Sequence, residues 1–389
     1  GLTQLIIGIT ALVVTLYIRD LPARSLHLRD FFLHSGLSVF NAHQWANSTL
    51  AFSYLFVPAF FMGLAFPVAA KVTVFYRSNI GRSVGDVLSF NTIGAILGSA
   101  ISGYVMLYFF GLERSLQILI VINIGYGLLV IFSLMNSTLV SRGIIGLTTA
   151  SLLFLSLNTH ALRMWDMKYF AIFRNNQPDA FASPEKVRDA VENTDVLSYH
   201  EGVDSIISSI KSKGGDQAVL VNGKAVASDS LNDQQCQFTL GHLPLLLHKN
   251  PRKVLVVGLG TGMTLGATAV HPSVEELTLA EIEPNVVFAA KTFERYNHHV
   301  LDNPKLKIIH TDGRNFLMTT RNKFDVITAD PIHPWTQGSG YLYTTEYFKL
   351  ASEHLLPGGI MCQWLPIYEL SVDDLKSVVA TFTRHFKHT

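Results

Sequence analysis

The segment from 327 to 348, ITADPIHPWTQGSGYLYTTEYF, contains side chains of the types that enzymes use for proton transfer. An apolar run ends just before Asp330, and His333 and Trp335 follow closely. A carboxylate or an imidazole can take a proton from a bound substrate, provided that the chain holds it within hydrogen-bonding reach. The pattern therefore predicts a strand, an active-site loop with Asp330 as the catalytic residue, and a helix near residue 345.

Aromatic residues in the same loop can close over a ligand, and the candidates are Trp335, Tyr341 and Tyr343. Gly338 and Gly340 would give the loop the mobility that such a closure needs. We expect His333, Trp335 and Tyr341 to contact the substrate. Packing of a well-ordered loop explains the same residues, and that alternative stays open.

The elements that position this loop belong to an alternating pattern that begins near Leu197. Strand-like runs KVLVV, LTLAEI, LKIIH, FDVITA and GIMCQW are separated by helical patterns. Such alternation predicts a doubly wound, mostly parallel sheet whose ligands bind at the carboxyl ends of the strands. Ahead of it, QAVLVNGKAVASD predicts a small antiparallel β subdomain with a tight turn at Asn222-Gly223, and HLPLLLHKNP predicts a short helix closed by a proline.

A glycine loop, GLGTG, follows the first of these strands and supplies Gly258, Gly260 and Gly262. Its spacing differs from the G-x-G-x-x-G of dinucleotide sites, because Met263 takes the third glycine position, and it suits a nucleoside without a pyrophosphate better. Glu281 ends the next strand, where a carboxylate can accept hydrogen bonds from both ribose hydroxyls.

Two further acids continue the series along the sheet. Asp312-Gly313 ends the third strand, within reach of an adenine amino group, and Asp330 ends the fourth. A solvated strand-end acid at Glu281 and a turn-forming Asp-Gly pair are the structural alternatives for the first two acids. Three acids at the ends of successive strands, beside a glycine loop, together predict a nucleoside site.

The first 162 residues have a different composition, with charge-poor apolar stretches near 1–18, 49–70, 87–112, 115–141 and 143–162. Each approaches or exceeds the roughly 20 residues that a helix needs to cross about 30 Å of hydrocarbon. We therefore predict about five membrane spans. Gly94, Gly98 and Ser102 predict close packing of the third span against a neighbouring helix. The middle of each span carries no Asp, Glu, Lys or Arg, which disfavours ion-coupled transport.

Net charge and cysteine spacing exclude other classes of function. The formal net charge of +1, without basic runs interleaved with aromatics, gives no basis for nucleic-acid binding. Cys236 and Cys362 are far apart in the sequence and have no metal-ligand spacing, so neither a metal site nor a disulfide framework is expected.

Four segments carry a resemblance to a known family: NPRKVLVVGLGTG, HPSVEELTLAEIEPNVV, HTDGRNFL and FDVITADPIHP. The region from about Tyr199 to Trp364 resembles the polyamine (spermidine) synthases, a branch of the class I methyltransferase fold. The region 49–162, especially GRSVGDVLSFNTIGAILGSAISGYVML, resembles the helices of membrane-fused spermidine synthase-like proteins, whose membrane part is similar to the major facilitator fold.

The resemblance implies roles for individual residues. Glu281 matches the ribose ligand, Asp312 and Gly313 match the adenine-binding pair, Asp330 matches the catalytic aspartate, and Gln237 falls on a position that contacts the nucleoside substrate. It also implies decarboxylated S-adenosylmethionine or S-adenosylmethionine as a substrate, a small-molecule amine as the second substrate, and no metal.

Four positions depart from the family pattern. Thr261 replaces the loop acid that binds the amine of the decarboxylated substrate, and His333 replaces the aspartate that holds the acceptor polyamine. Cys236 replaces a tyrosine, and Asp204 replaces a glutamine in a looser alignment. A desolvated ammonium without an anionic partner is costly, so we expect that putrescine is not the ordinary acceptor.

Three functions remain open at this point. The first is a membrane-anchored, aminopropyltransferase-like enzyme. The second is an S-adenosylmethionine-dependent N-methyltransferase, because Asp330-Pro331 loosely resembles the D-P-P-Y loop of amino-group methylators. The third is a non-catalytic membrane subunit with a degenerate nucleoside-binding domain.

The predicted organisation is a transmembrane helical domain (1–162), a linker (163–195), a small β subdomain with a connecting helix (196–250), and a nucleoside-binding α/β domain (251–389). We expect residues to be missing at both ends and the sheet to lack its last strands. We also expect an integral protein of the plasma or inner membrane, with the nucleoside domain on the cytoplasmic side and with other membrane subunits or further copies as partners. Basic residues follow both of the first two spans, so they do not assign the orientation.

Overall fold

The structure is a computed structural model of the 389-residue chain and describes all residues except 19–20, 78, 135–142, 144–145, 147–148, 151–166, 173–182, 203–204, 337 and 369. Its backbone contacts divide the chain into two compact units, Gly1–Val191 and Glu192–Thr389.

Helices make up the secondary structure described in the first unit. They are α1 (Leu2–Tyr17), α2 (Leu21–His34), α3 (Val39–Arg77), α4 (Ile80–Ile101), α5 (Leu107–Leu134), α6 (Met167–Ile172) and α7 (Pro184–Glu192), with a π-helical turn (Ser102–Met106) between α4 and α5. The helix α2 lies where the sequence predicted a connection before the second span. It contains no β-branched residue, so its side chains lose little freedom in a helix.

Two described stretches, Val39–Tyr76 and Ile80–Ser133, are long and apolar enough to cross a bilayer, and α1 is a shorter apolar helix. The predicted second span corresponds to the longer α3, which continues through Pro58 and Pro67. The predicted third and fourth spans form one helical stretch with a break at Gly111 (φ +72°, ψ −178°), a conformation that favours glycine. Most of the predicted fifth span lies outside the described residues.

Close helix packing in this unit involves different glycines from those predicted. A Cβ atom at Gly94 or Gly98 would meet nothing within 4 Å, and both positions are exposed. Gly8 of α1 instead lies against α5, where an added Cβ would be 3.0 Å from the backbone nitrogen of Ile124. The intimate contact in the described helices is therefore between α1 and α5.

The second unit begins with a four-stranded antiparallel sheet in the order β1 (Thr194–Glu201), β2 (Ile206–Ser212), β3 (Gln217–Val221) and β4 (Lys224–Ser228). The predicted tight turn at Asn222-Gly223 joins the last two strands, and both residues have positive φ.

The helix α8 (Leu231–Leu247) follows and is longer than the predicted short helix. It ends at Leu247, ahead of Pro251, the proline that was predicted to close it, and Pro244 lies inside it. A proline within a helix leaves the carbonyl four residues earlier without its N–H donor. Here the hydroxyl of Thr328 donates a hydrogen bond to that carbonyl, Leu240 O, at 2.9 Å. The proline is thus tolerated because a side chain from the neighbouring sheet replaces the missing donor.

The main sheet has five strands, all parallel, in the order β7-β6-β5-β8-β9. The strands are β5 (Lys253–Val257), β6 (Glu276–Glu281), β7 (Leu306–His310), β8 (Phe324–Ala329) and β9 (Leu355–Gln363). The helices around them are α9 (Met263–Ala269), α10 (Val286–Lys291), α11 (Glu294–Asn297), α12 (Gly313–Thr319), α13 (Thr345–Glu353) and α14 (Val372–Thr383). The five predicted strands are present, and in the described residues no antiparallel strand joins them.

This strand order reverses next to β5, because the chain proceeds outward to β6 and β7 and then returns to the other side with β8 and β9. A crevice at such a reversal is the usual binding place of open, Rossmann-like α/β sheets. Residues 254–257 of β5 are at most 2% exposed, so the reversal is built on the centre of the core. The predicted α/β fold is confirmed in its Rossmann-like parallel sheet and in the antiparallel sheet that precedes it.

Candidate active site

The register of the three central strands brings the candidate residues together. Val257 at the end of β5 pairs with Ala280 of β6 and with Ala329 of β8. Gly258 directly follows β5, Asp330 directly follows β8, and Glu281 is the last residue of β6. They therefore lie side by side at the carboxyl edge of the sheet, although they are widely separated in the sequence.

Gly258 is the point where the glycine loop and Asp330 approach each other most closely. It has φ +90°, and a Cβ atom there would lie 2.7 Å from the carbonyl oxygen of Asp330. The backbone nitrogen of Asp330 in turn donates to Val257 O at 3.0 Å. Glycine is required here for both its backbone conformation and its lack of a side chain.

The carboxyl group of Asp330 lies against α9, and its Oδ2 accepts a hydrogen bond from the hydroxyl of Thr264 at 2.9 Å. Burial raises the pKa of Asp330 to about 6; the bond from Thr264 opposes this change, and the negative charge of Asp233 adds to it. A carboxylate with this pKa is ionised at neutral pH and is a stronger base than an exposed aspartate.

Glu281 is 7% exposed, and both of its carboxylate oxygens accept backbone hydrogen bonds. Oε2 accepts from Leu259 N at 2.8 Å, which ties β6 to the glycine loop, and Oε1 accepts from Glu283 N at 2.9 Å. Burial raises the pKa of Glu281, and these N–H groups counteract it. Each oxygen of an ionised carboxylate has a further lone pair, so this side chain fits the two hydroxyls of a ribose.

Thr261 and Gln237 contact each other directly. The hydroxyl of Thr261, which is fully buried, donates a short hydrogen bond to Gln237 Oε1. The amide nitrogen of Gln237 donates to Ser228 O at 3.4 Å. The glycine loop, which includes Gly260 and Gly262, is therefore joined to α8 through two neutral side chains.

Asp312 and Gly313 have structural roles that the sequence offered as the alternative to ligand binding. Asp312 is the N-cap of α12, and its Oδ1 accepts from Asn315 N at 2.9 Å. A Cβ atom at Gly313 would overlap the side chain of Val257. These roles occupy one oxygen of Asp312, and contact with an adenine remains a prediction.

His333 is 5% exposed and packs against aromatic rings. Its ring centroid is 4.9 Å from that of Trp335 and 5.4 Å from that of Trp364, and its Nε2 lies 3.3 Å from the hydroxyl of Tyr368. Trp335 is half exposed, and Tyr341, 58% exposed, lies with its ring 5.7 Å from the guanidinium carbon of Arg314. Their role in binding a substrate remains a prediction.

Asp233 and Cys362 lie near Asp330 and were not identified from the sequence as site residues, whereas Tyr343 and Cys236 had been singled out. The charge of Asp330 raises the pKa values of Cys236, Cys362 and Tyr343, in each case after the larger effect of burial. For Cys362 the resulting pKa is about 11. Asp233 is the other carboxylate of this group. The helical spacing of Asp233, Cys236 and Gln237 was the signal that could have revealed it.

A possible metal site lies elsewhere in the unit. Glu294, His299 and Asp302 have ligand-type atoms within 4.8 Å of one another in the described residues, and the last two are exposed. Surface carboxylates and histidines often group in this way without binding an ion. The expectation from the sequence that the protein binds no metal stays a prediction.

Comparisons with known proteins agree with this geometry. Residues 234–388 match the spermine/spermidine synthase domain. Spermidine synthase of Dictyostelium discoideum is 33% identical over 168 residues, which are 43% of this chain and 58% of that protein. Polyamine aminopropyltransferase of Aeropyrum pernix is 30% identical over 187 residues, which are 47% of this chain and 59% of that protein. The chain thus matches less than two thirds of the length of these relatives.

Among solved structures, spermidine synthase in complex with the transition state analogue AdoDATO is 25% identical, with a TM-score of 0.45, and the match covers 49% of this chain and 65% of that one. Spermidine synthase from Thermotoga maritima has a TM-score of 0.44 at 25% identity, and the match covers 49% of this chain and 64% of that one. From the sequence matches, residues 234–388 form a spermidine synthase-like domain.

Proposed function

We propose that the chain is a membrane-anchored transferase of the spermidine synthase type. It takes decarboxylated S-adenosylmethionine or S-adenosylmethionine as a substrate and alkylates an amine other than ordinary putrescine. The observation that carries the proposal is the buried carboxyl of Asp330, with a pKa of about 6, beside the glycine loop and the buried Glu281.

In the proposed reaction, the lone pair of a neutral amine nitrogen attacks a carbon bonded to the sulfonium. The new C–N bond forms as the C–S bond breaks, and its electron pair goes to sulfur, which leaves as a neutral thioether. The proton lost from the amine goes to Asp330, directly or through a water molecule. A base with a pKa near 6 suits this transfer better than one near 4, because proton acceptance becomes less unfavourable.

The choice of sulfonium substrate follows from the neutral contact between Thr261 and Gln237. An acid at position 261 would attract the amine of the decarboxylated substrate and repel the carboxylate of S-adenosylmethionine. A buried threonine does neither, so both sulfonium compounds bind, with less discrimination than an acid would give. The same observation supports the second candidate function, N-methylation by S-adenosylmethionine.

The choice of acceptor follows from the surroundings of His333. The ring lies among Trp335, Trp364 and Tyr368, which offer aromatic faces and no carboxylate. The family resemblance implies an aspartate where His333 stands, so the distal ammonium of a diamine loses that carboxylate, and a desolvated ammonium without a partner is costly. The acceptor therefore presents an uncharged or aromatic group at this end.

The membrane part of the proposal rests on composition and exposure. Val39–Tyr76 has a mean hydropathy of 1.8 in its most apolar window, yet only 6% of that window is buried. Large apolar side chains that remain exposed along α3 include Phe52, Phe56 and Phe60. A lipid bilayer would cover them. We also propose that the domain 192–389 faces the cytoplasm and that other membrane subunits or further copies of the chain are its partners.

The deciding experiment is calorimetry on the purified full chain in detergent, with methylthioadenosine, decarboxylated S-adenosylmethionine and S-adenosylmethionine, followed by mass spectrometry of products formed from a panel of amines. We expect all three nucleosides to bind and an amine other than putrescine to be alkylated. A strong preference for the decarboxylated compound with rapid turnover of putrescine would restore the plain family function. Methylated products would select the second candidate, and binding of none of the three would indicate a non-catalytic subunit.

A further inference from the structure

One face of α8 borders the same space as Asp330. Asp233, Cys236, Gln237 and Leu240 follow at the three- and four-residue intervals that place side chains on one side of a helix. Gln237 contacts Thr261 of the glycine loop, and the backbone of Leu240 accepts from Thr328 of β8. This face therefore lies across the carboxyl ends of β5 and β8, with Asp233 at its N-terminal end.

Asp233 brings a second carboxylate into this space. It is partly buried, and its Oδ2 accepts from the hydroxyl of Ser228 at 2.5 Å. Its charge acts on both Asp330 and Cys236. Among the described residues, neither Asp233 nor Asp330 forms an ion pair with a lysine or an arginine. Two neighbouring carboxylates without a cation repel each other, and a cation between them would be stabilised by both.

We propose that Asp233 binds the ammonium group of the amine substrate, opposite Asp330. The inference rests on the proposed function and gives its acceptor site a specific residue that no comparison assigns. Thr261 and His333 carry no carboxylate, and Asp233 on α8 supplies one. The substrate class is a primary amine that arrives protonated and transfers its proton to Asp330 before attack.

A purely structural role for Asp233 is the alternative, because the residue also takes part in the start of a helix. Its backbone N–H donates to the N-cap hydroxyl of Ser230 at 3.4 Å. The chain offers a matched control in α14, where Asp374 N donates to Ser371 Oγ at 3.1 Å and the carboxylate of Asp374 accepts from the same hydroxyl. Asp374 is exposed and has the same position in its helix.

The test compares Asp233→Asn with Asp374→Asn in the full chain in detergent. Calorimetry at pH 8 measures methylthioadenosine first, and then n-butylamine and putrescine with methylthioadenosine saturating. We expect Asp233→Asn to weaken the binding of n-butylamine at least tenfold and to leave methylthioadenosine within twofold. Asp374→Asn should leave both affinities unchanged.

The pH dependence of n-butylamine binding supplies a second readout, which reports whether Asp233 and Asp330 act on the same bound amine. Binding of the ammonium improves as Asp330 ionises, and the groups that act on Asp330 are Thr264 by a hydrogen bond and Asp233 by its charge. The nearby Cys236, Cys362 and Tyr343 have raised pKa values and stay neutral through this range. Removing the charge of Asp233 lowers the pKa of Asp330, so the midpoint should move to lower pH in Asp233→Asn and not in Asp374→Asn.

Unchanged n-butylamine affinity in Asp233→Asn, with methylthioadenosine still bound, would overturn this inference and leave the proposed function standing. Equal losses of amine and nucleoside affinity would also overturn it, because Asp233 would then act through the fold. If the unmodified chain bound neither methylthioadenosine nor an amine, the proposed function and the inference would both fail.

Discussion

Burial acts on Glu281 and Asp330 in the same direction, but the two carboxylates have different neighbours. A nearby carboxylate acts on each of them, but Glu281 accepts from two backbone N–H groups, which favour its ionised form, whereas Asp330 accepts from one hydroxyl. The first arrangement suits a fixed acceptor of hydroxyl groups, and the second suits a base. Adjacent strand ends thus provide two carboxylates with separate tasks.

For Glu281, we expect Glu281→Gln to weaken methylthioadenosine binding about ten- to a hundredfold, which is roughly 1.5–3 kcal/mol, because the ribose hydroxyls lose a charged acceptor. Calorimetry measures this change. Glu276→Gln is the matched control, since Glu276 lies at the exposed start of the same strand and forms an ion pair with Lys253 at the surface. Equal losses in the two variants would contradict the assignment of Glu281 to the ribose.

For Asp330, turnover of the alkylated amine should rise about tenfold per pH unit below about 6 and level off above it, because the base must be ionised. Asp330→Asn should abolish turnover at every pH while methylthioadenosine still binds. A rate that does not change between pH 5 and pH 7 would argue against Asp330 as the base.

The same raised pKa has a consequence for stability. The carboxyl group has a pKa of about 6 in the folded chain against an ordinary aspartate pKa of 3.8, so its protonated form favours folding. Its stabilising contribution is present below about pH 4 and is lost as the pH rises through 6. At pH 8 we therefore expect Asp330→Asn to increase the free energy of unfolding, by up to about 3 kcal/mol. Chemical denaturation at pH 4 and pH 8 measures this, and the gain should vanish at pH 4.

For Cys236 and Cys362, slow reaction with iodoacetamide is expected at neutral pH, because only the thiolate reacts and both pKa values are raised. Bound methylthioadenosine should slow the alkylation of Cys236 further if the ligand occupies the space beside Asp330. Mass spectrometry of the two peptides reports both rates. Protection of neither cysteine would place the ligand elsewhere.

Among individual residues, those at strand ends were predictable and those brought in by other elements were not. Glu281 and Asp330 directly follow apolar residues and Asp312 comes two residues after its strand, so alternation alone places all three at one edge of a parallel sheet. The helical spacing of Asp233, Cys236 and Gln237 shows that they share a helix face, but the approach of Asp233 to Asp330 depends on how α8 crosses the sheet.

At the scale of elements, α8 is longer than predicted because it begins at Leu231, in a polar stretch ahead of the predicted segment that starts at His242. It also continues through Pro244. A proline ends a helix when the freed carbonyl finds no donor, and here Thr328 supplies one across the sheet. The predicted boundary between spans three and four lay near residues 112–115, close to the break that the structure has at Gly111. The sequence shows where a proline or a glycine lies, but contacts with distant residues determine whether the helix continues or breaks there.

The contact between α1 and α5 can be tested with two glycines. Gly8→Leu should lower the free energy of unfolding in detergent by about 1–3 kcal/mol, because an added side chain would press on the backbone of Ile124. Gly94→Leu is the control, since nothing lies within 4 Å of the added Cβ. Similar stability losses in both would mean that the face around Gly94 is covered in the protein as it exists.

At the scale of the whole molecule, the proposal of membrane anchoring predicts that the full chain stays in the pellet when cell membranes are washed with alkaline carbonate and is released by detergent. The expected cause is the exposed apolar surface of α3 and of the stretch Ile80–Ser133. Release by carbonate alone would contradict an integral membrane protein.

The order of strands in the second unit was predictable as a class, since alternating strands and helices permit few parallel arrangements. The number of helices in the first unit could not be predicted in this way. Hydropathy measures how apolar a segment is, whereas α2 forms from residues of mixed polarity that pack against α3.

The close approach of Gly258 to Asp330 also limits the mutations that the gene can accept at this position. Every residue that a single base change can produce from a glycine codon carries a Cβ atom, and at this position that atom would meet the carbonyl oxygen of Asp330. No single amino-acid replacement at this position is therefore neutral, unlike at Gly94, where the space is open. In a library of random single mutants selected for the transferase, codon 258 should continue to encode glycine while codon 94 comes to encode other residues.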